Sequence, residues 1–287
     1  MKGLLAAATD PLVVQTGMIC LGIHLLLYGV FAYAPLPDGP WKKMPSHTAH
    51  QVLALPLMTY ISVQGCITWF GQADPESSED RIYLPVADGV QLAQVVFGFL
   101  LYWDIPVGLA TPALQDPLML VHHFGMLFVA GVVMGNLCLS EEPRGSYYAP
   151  FFLGLIEASS IPLCYVDIFH PKHKYWYEFL QQELKNKSAL GNVLNSINEV
   201  ARILFALIFL AFRFVYFPLV AFSTCLPDFF KAANAESDPA LYGIFVLCIL
   251  FTGLQMYWGL LIIRQIAKML QGGDGDKDSD KKKDKES

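Results

Sequence analysis

Two adjacent histidines, His122 and His123, are the residues of this sequence best suited to chemistry. A neutral imidazole can act as a general base toward an amine or hydroxyl, or as a nucleophile that accepts an acyl group. On a helix the two rings point about 100° apart, so they can face two different neighbours or share the mouth of one cavity. The pair therefore indicates either a reactive site or hydrogen-bonded packing.

A carboxylate beside a histidine orients the ring and stabilises its protonated form. Asp116 immediately precedes Pro117, which predicts a helix start with Asp116 as N-cap and proline in the first turn. Asp116 and His123 would then lie on one face about 10 Å apart, too far for a direct hydrogen bond. Asp104 and Glu157 are the other candidate acids. The predicted catalytic residues are His122, His123, Asp116, Glu157 and Asp104.

The elements that must position these residues are membrane-spanning helices. Of 287 residues, 54% are hydrophobic and only 15% are charged, against about 25% charged residues in soluble domains. The apolar segments are long enough to cross about 30 Å of hydrocarbon, and they lack the alternation of a membrane barrel. The sequence thus predicts an all-α bundle of about seven transmembrane helices. The predicted spans are residues 11–34, 47–70, 82–103, 117–138, 148–169, 200–226 and 240–269.

Lysines and arginines outside the spans indicate the orientation of the chain. Most of them follow the first span, the fifth span or the last span. Because cytosolic loops are enriched in basic residues, we expect a lumenal N-terminus and a cytosolic C-terminus. This topology places the sequon at Asn186 in the cytosol, where it would not be glycosylated.

Ionisable residues inside spans are expected to be paired, since a charge at the bilayer centre costs at least about 2.5 to 3.5 kcal/mol. Glu157 and Arg213 fall at similar predicted depths, about 18 and 20 Å from the cytosolic side, so we predict an ion pair. The pair would be either an interhelical strut or part of a site. Gln91 and Gln255 lie at comparable depths and are predicted, with Arg213, to bind substrate.

No metal site is expected, because no histidine pair at helical spacing is accompanied by a carboxylate. The six cysteines show no Cys-x-x-Cys pattern and are expected to be free thiols. Expected partners are membrane lipids and a fatty acyl chain, and no nucleic acid. The spacing of Gly131 and Gly135 could seat a close helix contact, either within the chain or in a homodimer.

The charged C-terminus, residues 271–287, has no apolar side chain to bury and is predicted to be a disordered cytosolic tail. Lys283 and Lys285 stand five and three places from the end. This arrangement resembles a dilysine retrieval signal, which would be recognised by coat proteins and would keep the protein in the endoplasmic reticulum membrane.

Four segments in chain order resemble the TLC domain family, which includes ceramide synthases, a translocon-associated protein and a lysosomal-storage-disease protein of the endoplasmic reticulum. The segments are FGFLLYWD ending at Asp104, DPLMLVHHFG with His122 and His123, FFLGLIEASSIPL with Glu157 and Ser159, and LAFRFVYFP with Arg213. The resemblance implies a TLC-type six-helix barrel over residues 45–270, preceded by one N-terminal helix and loop in residues 1–44.

In the ceramide synthase branch, the paired histidines and acidic residues transfer a fatty acyl chain from acyl-CoA to a sphingoid base. The resemblance therefore implies acyl transfer by His122 or His123, with Ser159 in the binding site, acyl-CoA as co-substrate and no bound cofactor. The sequence departs from that branch at Glu157-Ala158-Ser159-Ser160, where an Asp-x-Ser-Asp type of motif is expected. One additional residue before Asp104 also leaves Asp104 and Asp116 as alternative working acids. These features resemble family members outside the ceramide synthase branch.

Two hypotheses follow. The first is an endoplasmic reticulum acyltransferase of the ceramide synthase type that uses the histidine pair. The alternative is a non-catalytic lipid-binding protein, acting in membrane-lipid homeostasis or cargo handling, in which the same polar residues fix helix packing or hold a lipid headgroup.

Overall fold

The computed structural model describes residues 2–139 and 141–283, which form helices and, within those ranges, no strand. The predicted all-α fold class is confirmed. The main helices are α1 (Lys2–Thr9), α2 (Pro11–Tyr33), α3 (Pro40–Lys43), α4 (Pro45–Gly71), α5 (Ser78–Tyr83), α6 (Ala87–Ala110), α7 (Pro117–Val133), α8 (Pro150–Ile168), α9 (Lys174–Lys185), α10 (Ala189–Glu236) and α11 (Pro239–Lys283).

Six helices of the described chain are long and apolar enough to cross a membrane. They are α2, α4, α6, α8, α10 and α11, the last over Pro239–Leu270. The predicted fourth span is the shorter helix α7, with 17 residues. It ends early because Gly135 adopts a left-handed conformation with φ of 83°, which stops a helix.

The glycine spacing in this region therefore does not build a helix contact face. Gly131 lies on α7, but Gly135 lies in the turn beyond it. A Cβ atom on Gly131 would meet Leu137 and Phe97 of the same chain. Gly131 thus makes its close contact within the chain, and a homodimer stays a prediction.

Acidic caps explain where two of the helices begin. The Asp10 carboxylate accepts hydrogen bonds from the backbone N–H groups of Leu12 and Val13 at the start of α2. Asp116 does the same for Leu118 and Met119 at the start of α7. Each cap satisfies N–H groups that have no partner inside the helix. The predicted N-cap role of Asp116 is confirmed.

Six helices close into a ring. Helix α4 contacts α8, α8 contacts α10, α10 contacts α11, α11 contacts α7, α7 contacts α6, and α6 returns to α4. Helix α2 packs outside the ring against α4 and α6. This arrangement has the architecture expected from the resemblance, a six-helix barrel with one additional N-terminal helix. The ring surrounds an interior in which side chains of all six helices can meet.

Helices α4 and α8 approach each other closely at two glycines. A Cβ atom on Gly65 would lie 2.4 Å from the backbone nitrogen of Leu155, and one on Gly154 would lie 2.6 Å from the Cα of Gly65. Small residues let membrane helices approach closely enough for their backbones to touch. The two glycines therefore set the distance between these helices.

Helix α11 is described as far as Lys283, and the disorder of residues 271–287 stays a prediction. Lys283 is the last described residue, and Lys285 lies outside the described residues.

Candidate functional site

A cavity of about 620 Å³ occupies the interior of the ring. Its volume lies within the range of about 300 to 1,000 Å³ that is usual for ligand pockets. Seven predicted site residues line it: Asp104, Asp116, His122, His123, Glu157, Ser159 and Arg213. The structure thus brings together most of the residues that the sequence singles out.

Asp104 lies between two histidines from different helices. Its Oδ2 is 2.6 Å from Nδ1 of His123 on α7, and its Oδ1 is 2.8 Å from Nε2 of His50 on α4. The carboxylate is buried, and a buried charge is stable only when it is paired or hydrogen-bonded. We call His50, Asp104 and His123 the aspartate triplet. It joins α4, α6 and α7 at the cavity wall.

The triplet defines which nitrogen of His123 a ligand can use. Contact of Asp104 with Nδ1 favours the proton on that nitrogen, which leaves Nε2 as the basic atom. His50 is held by stacking on the indole of Trp103, with ring centroids 4.9 Å apart and an interplanar angle of 23°. His50 is not among the site residues that the sequence predicts. The sequence feature that could have identified His50 is its position in an apolar span, three residues after His47.

His122 has a different environment from His123. It is buried, and its ring meets Phe251 edge-on with centroids 4.9 Å apart. His122 also lines a second cavity of about 40 Å³, whose wall includes Gln255. The Gln255 side chain is fully buried, and neither of its polar atoms has a partner within the described chain. Gln255 therefore faces this small apolar cavity and does not line the large one.

Glu157 and Arg213 form the ion pair that their depth predicts. Nη2 of Arg213 lies 2.9 Å from Oε1 of Glu157, which confirms the pairing. The guanidinium also donates to the Ile156 carbonyl at 3.0 Å and to the Ser159 hydroxyl at 2.8 Å. Ser160 donates to Glu157 at 2.5 Å. Ser159 thus holds the arginine in place, on the wall of the cavity.

The helices are deformed where they carry these charges. Asp104 ends a π-helical turn, Leu100–Asp104, and Arg213 lies in a longer π-helical stretch, Phe209–Tyr216. Glu157 lies in a 3-10 turn, Leu155–Ser159. In a membrane, irregular backbone is tolerated where it is buried in protein or lines a cavity, and π-helical turns are frequent at functional sites. Three spans are therefore irregular at the cavity.

Gln91 does not reach the large cavity, and Asp116 lines it without contacting either histidine of the aspartate triplet. Gln91 is exposed on α6 and lines neither cavity, because estimated depth fixes the level of a residue but not the face of its helix. Asp116 lies at the cavity edge, where its carboxylate caps α7. Of the two alternative acids, Asp104 is the one that contacts His123.

The TLC domain model matches residues 23–264. The chain belongs to the TLC domain family. No curated protein and no solved structure matches the chain. The matched region of this TLC domain protein includes α4, α6, α7, α8 and α10 in full and most of α11, so it contains the ring. Family membership and the six long apolar helices make it a multi-pass membrane protein with a function related to membrane lipids.

Proposed function

We propose that this TLC domain protein is an acyltransferase of the endoplasmic reticulum membrane, which transfers a fatty acyl group from acyl-CoA to an amine or hydroxyl of a lipid. The observation that carries the proposal is the 2.6 Å contact between Asp104 and Nδ1 of His123 in a cavity of about 620 Å³. An oriented imidazole in a largely apolar cavity is suited to proton transfer at a bound lipid.

The chemical step uses Nε2 of His123 as general base. Nε2 removes a proton from the acceptor as its nitrogen or oxygen attacks the thioester carbonyl. The new C–N or C–O bond forms, the C–S bond breaks, and the thiol of coenzyme A leaves with the proton returned by His123. Asp104 stabilises the imidazolium that forms in between.

Other cavity residues act as positioning residues. Arg213 and Glu157 neutralise each other, and together with Ser159 they fix α8 against α10 beside the reacting groups. His122 packs beside His123, with ring centroids 5.8 Å apart. Apolar side chains from the same helices would receive the acyl chain.

The charge arrangement also supports an alternative, a non-catalytic lipid-binding protein. Asp104 contacts two histidines, and Glu157 contacts Arg213 and Ser160, so the buried charges are matched without a substrate. In that function the cavity holds a lipid, and the polar residues fix the helices around it.

Acyl transfer by protein purified into nanodiscs tests the proposal. We expect labelled acyl-CoA to transfer to at least one member of a panel of lipid amines and hydroxyls. His123→Ala should lower the rate about 10² to 10⁴-fold, the usual contribution of a general base. Gln64→Ala, at an exposed position of α4 that lines neither cavity, is the control. Undiminished transfer by folded His123→Ala would exclude the mechanism, and stoichiometric lipid binding without transfer would favour the alternative.

A further inference from the structure

A second cluster of titratable side chains lies apart from the aspartate triplet, where the ends of three helices meet. His47 comes from the first turn of α4, Asp167 from the last turn of α8, and His173 directly precedes α9. Oδ2 of Asp167 is 3.2 Å from Nε2 of His173 and 3.5 Å from Nε2 of His47. One potential ligand atom from each residue lies within 4.8 Å of the other two.

We propose that His47, Asp167 and His173 bind a Zn²⁺ ion through two imidazoles and one carboxylate, with a fourth position for water or another small ligand. Imidazole and carboxylate are ligands that zinc prefers, and three protein ligands are typical of sites that keep one position open. The proposal departs from the expectation of no metal site. That expectation considered ligands at helical spacing, whereas these three ligands come from three separate elements.

The distances between the ligand atoms suit tetrahedral coordination of a zinc ion. Zinc lies 2.0 to 2.2 Å from nitrogen and oxygen ligands, so neighbouring ligand atoms of a tetrahedral site are about 3.3 Å apart. The two measured distances from Asp167 Oδ2, 3.2 and 3.5 Å, lie on either side of that separation. The imidazole rings are also close, with centroids 4.0 Å apart. The ligand atoms of the two imidazoles lie within 4.8 Å of each other, so the side chains would close around the ion to complete the tetrahedral spacing.

Burial provides a second, independent argument. His47 and His173 are each only 1% exposed. Neither ring nitrogen of His47 has a hydrogen-bond partner within the described part of the chain. Buried polar atoms of native proteins nearly always have a partner, so an unpaired imidazole at this position calls for one. A zinc ion between the three side chains would supply the partner of Nε2.

The surroundings of Asp167 resemble the outer contacts of a metal site. Gln51 donates from Nε2 to Oδ2 at 2.8 Å, and Nζ of Lys172 lies 2.6 Å from Oδ1. Oδ2 also forms a hydrogen bond with Nε2 of His173 at 3.2 Å, and the ion would replace this bond, because a zinc-bound imidazole nitrogen carries no proton. Such outer contacts orient metal-binding carboxylates. Lys172 and Gln51 would therefore hold the carboxylate toward the histidines.

The ion would have a structural consequence. It would join α4, α8 and the start of α9 at one end of the ring, and Gln51, Asp167 and Lys172 also line the large cavity. The ion would therefore lie at the cavity wall, while the aspartate triplet remains a separate group. This inference does not depend on acyl transfer, because the same ion would stabilise a lipid-binding protein.

The first experiment uses the wild-type chain, purified into nanodiscs without chelator. We expect about one Zn²⁺ per chain by elemental analysis, and X-ray absorption showing imidazole and oxygen ligands without sulfur. Removal of zinc by a chelator should lower the unfolding temperature, and added Zn²⁺ should restore it. A chain that neither contains zinc nor takes up added Zn²⁺, or a spectrum with sulfur ligands, would overturn the proposal.

Variants then locate the ion. His173→Asn and Asp167→Asn should abolish zinc retention, and Gln51→Ala should weaken Zn²⁺ binding about 10 to 100-fold as a residue that orients a ligand. The matched control is His170→Asn, at an exposed histidine three residues before His173. Equal zinc content in the control and in folded His173→Asn would show that the ion binds elsewhere. If the variants fail to fold, the ligand set found by X-ray absorption on the wild type decides.

Discussion

Asp104 is the central residue of the aspartate triplet, because its carboxylate contacts both His50 and His123. The substitution Asp104→Asn separates the effect of the negative charge from the effect of side-chain size, because asparagine keeps the shape but removes the charge. An amide can donate to the imidazole and thereby favour the wrong tautomer of His123. We expect acyl transfer to fall about 10² to 10⁴-fold, measured as an initial rate with labelled acyl-CoA.

The matched control for this change is Asp38→Asn, at an exposed aspartate that lines neither cavity. It should leave the rate unchanged. A rate for Asp104→Asn equal to that of the control, in protein that elutes as a folded species, would mean that the carboxylate does not orient the reacting histidine.

The ion pair of Glu157 and Arg213 allows the cost of an unpaired buried charge to be measured. Glu157→Gln or Arg213→Gln alone leaves the other charge unpaired, which usually costs about 3 to 5 kcal/mol. The double variant removes both charges and should be more stable than either single variant. Thermal unfolding of the four proteins in one detergent measures this. Additive losses in the double variant would show that the two charges do not interact.

Contacts between residues were predictable from the sequence where a residue has a limited choice of partners. A lone arginine in an apolar span needs an anion, and Glu157 at the same depth was the natural partner of Arg213. The pairing of Asp104 with His123 could not be derived, because it depends on which faces of α6 and α7 meet. The same uncertainty about helix face explains why Gln91 points away from the site and why His50 was missed.

At the scale of elements, the contact of α4 with α8 depends on two glycines. Gly65→Ala would place a methyl group 2.4 Å from the backbone of α8, so the helices must separate. Forced overpacking usually costs about 1 to 3 kcal/mol. We therefore expect a lower unfolding temperature for Gly65→Ala, measured in the same detergent as the wild type.

The control for this prediction is Gly29→Ala on α2, where an added Cβ meets open space. Alanine has the higher helix propensity, by about 0.8 to 1.0 kcal/mol, so Gly29→Ala should not destabilise the protein. If both substitutions shift the unfolding temperature equally, glycine at position 65 does not set the distance between the helices.

The existence of the helices was predictable from apolar length, and the start of α7 from Asp116 and Pro117. The irregular turns were not predictable. Nothing in the residue types of Leu100–Asp104 or Phe209–Tyr216 requires a π-helical hydrogen-bond pattern. These turns lie where the helices line the cavity, a relation between helices that periodicity along one helix does not describe.

At the scale of the whole molecule, the sequence predicts a lumenal N-terminus and a cytosolic C-terminus. A C-terminal epitope should therefore bind antibody in cells whose plasma membrane alone is permeabilised. An epitope at the N-terminus should become accessible only after all membranes are opened. The physical reason is the retention of lysines and arginines on the cytosolic side. Glycan on Asn186, detected by glycosidase digestion, would contradict this orientation.

Helix α10 has a consequence for the position of Arg213. Its 48 residues extend about 72 Å, whereas a bilayer with its headgroups is about 40 to 45 Å thick. Arg213 lies at the midpoint of α10. When the helix is centred in the bilayer, this position is the farthest along the helix from both aqueous phases. An arginine near a helix end can extend its side chain to the interface, but Arg213 is too far from either end of α10 to do so. Its polar partners in the described chain all lie on α8, so loss of those groups would leave the guanidinium without a matched charge in the bundle.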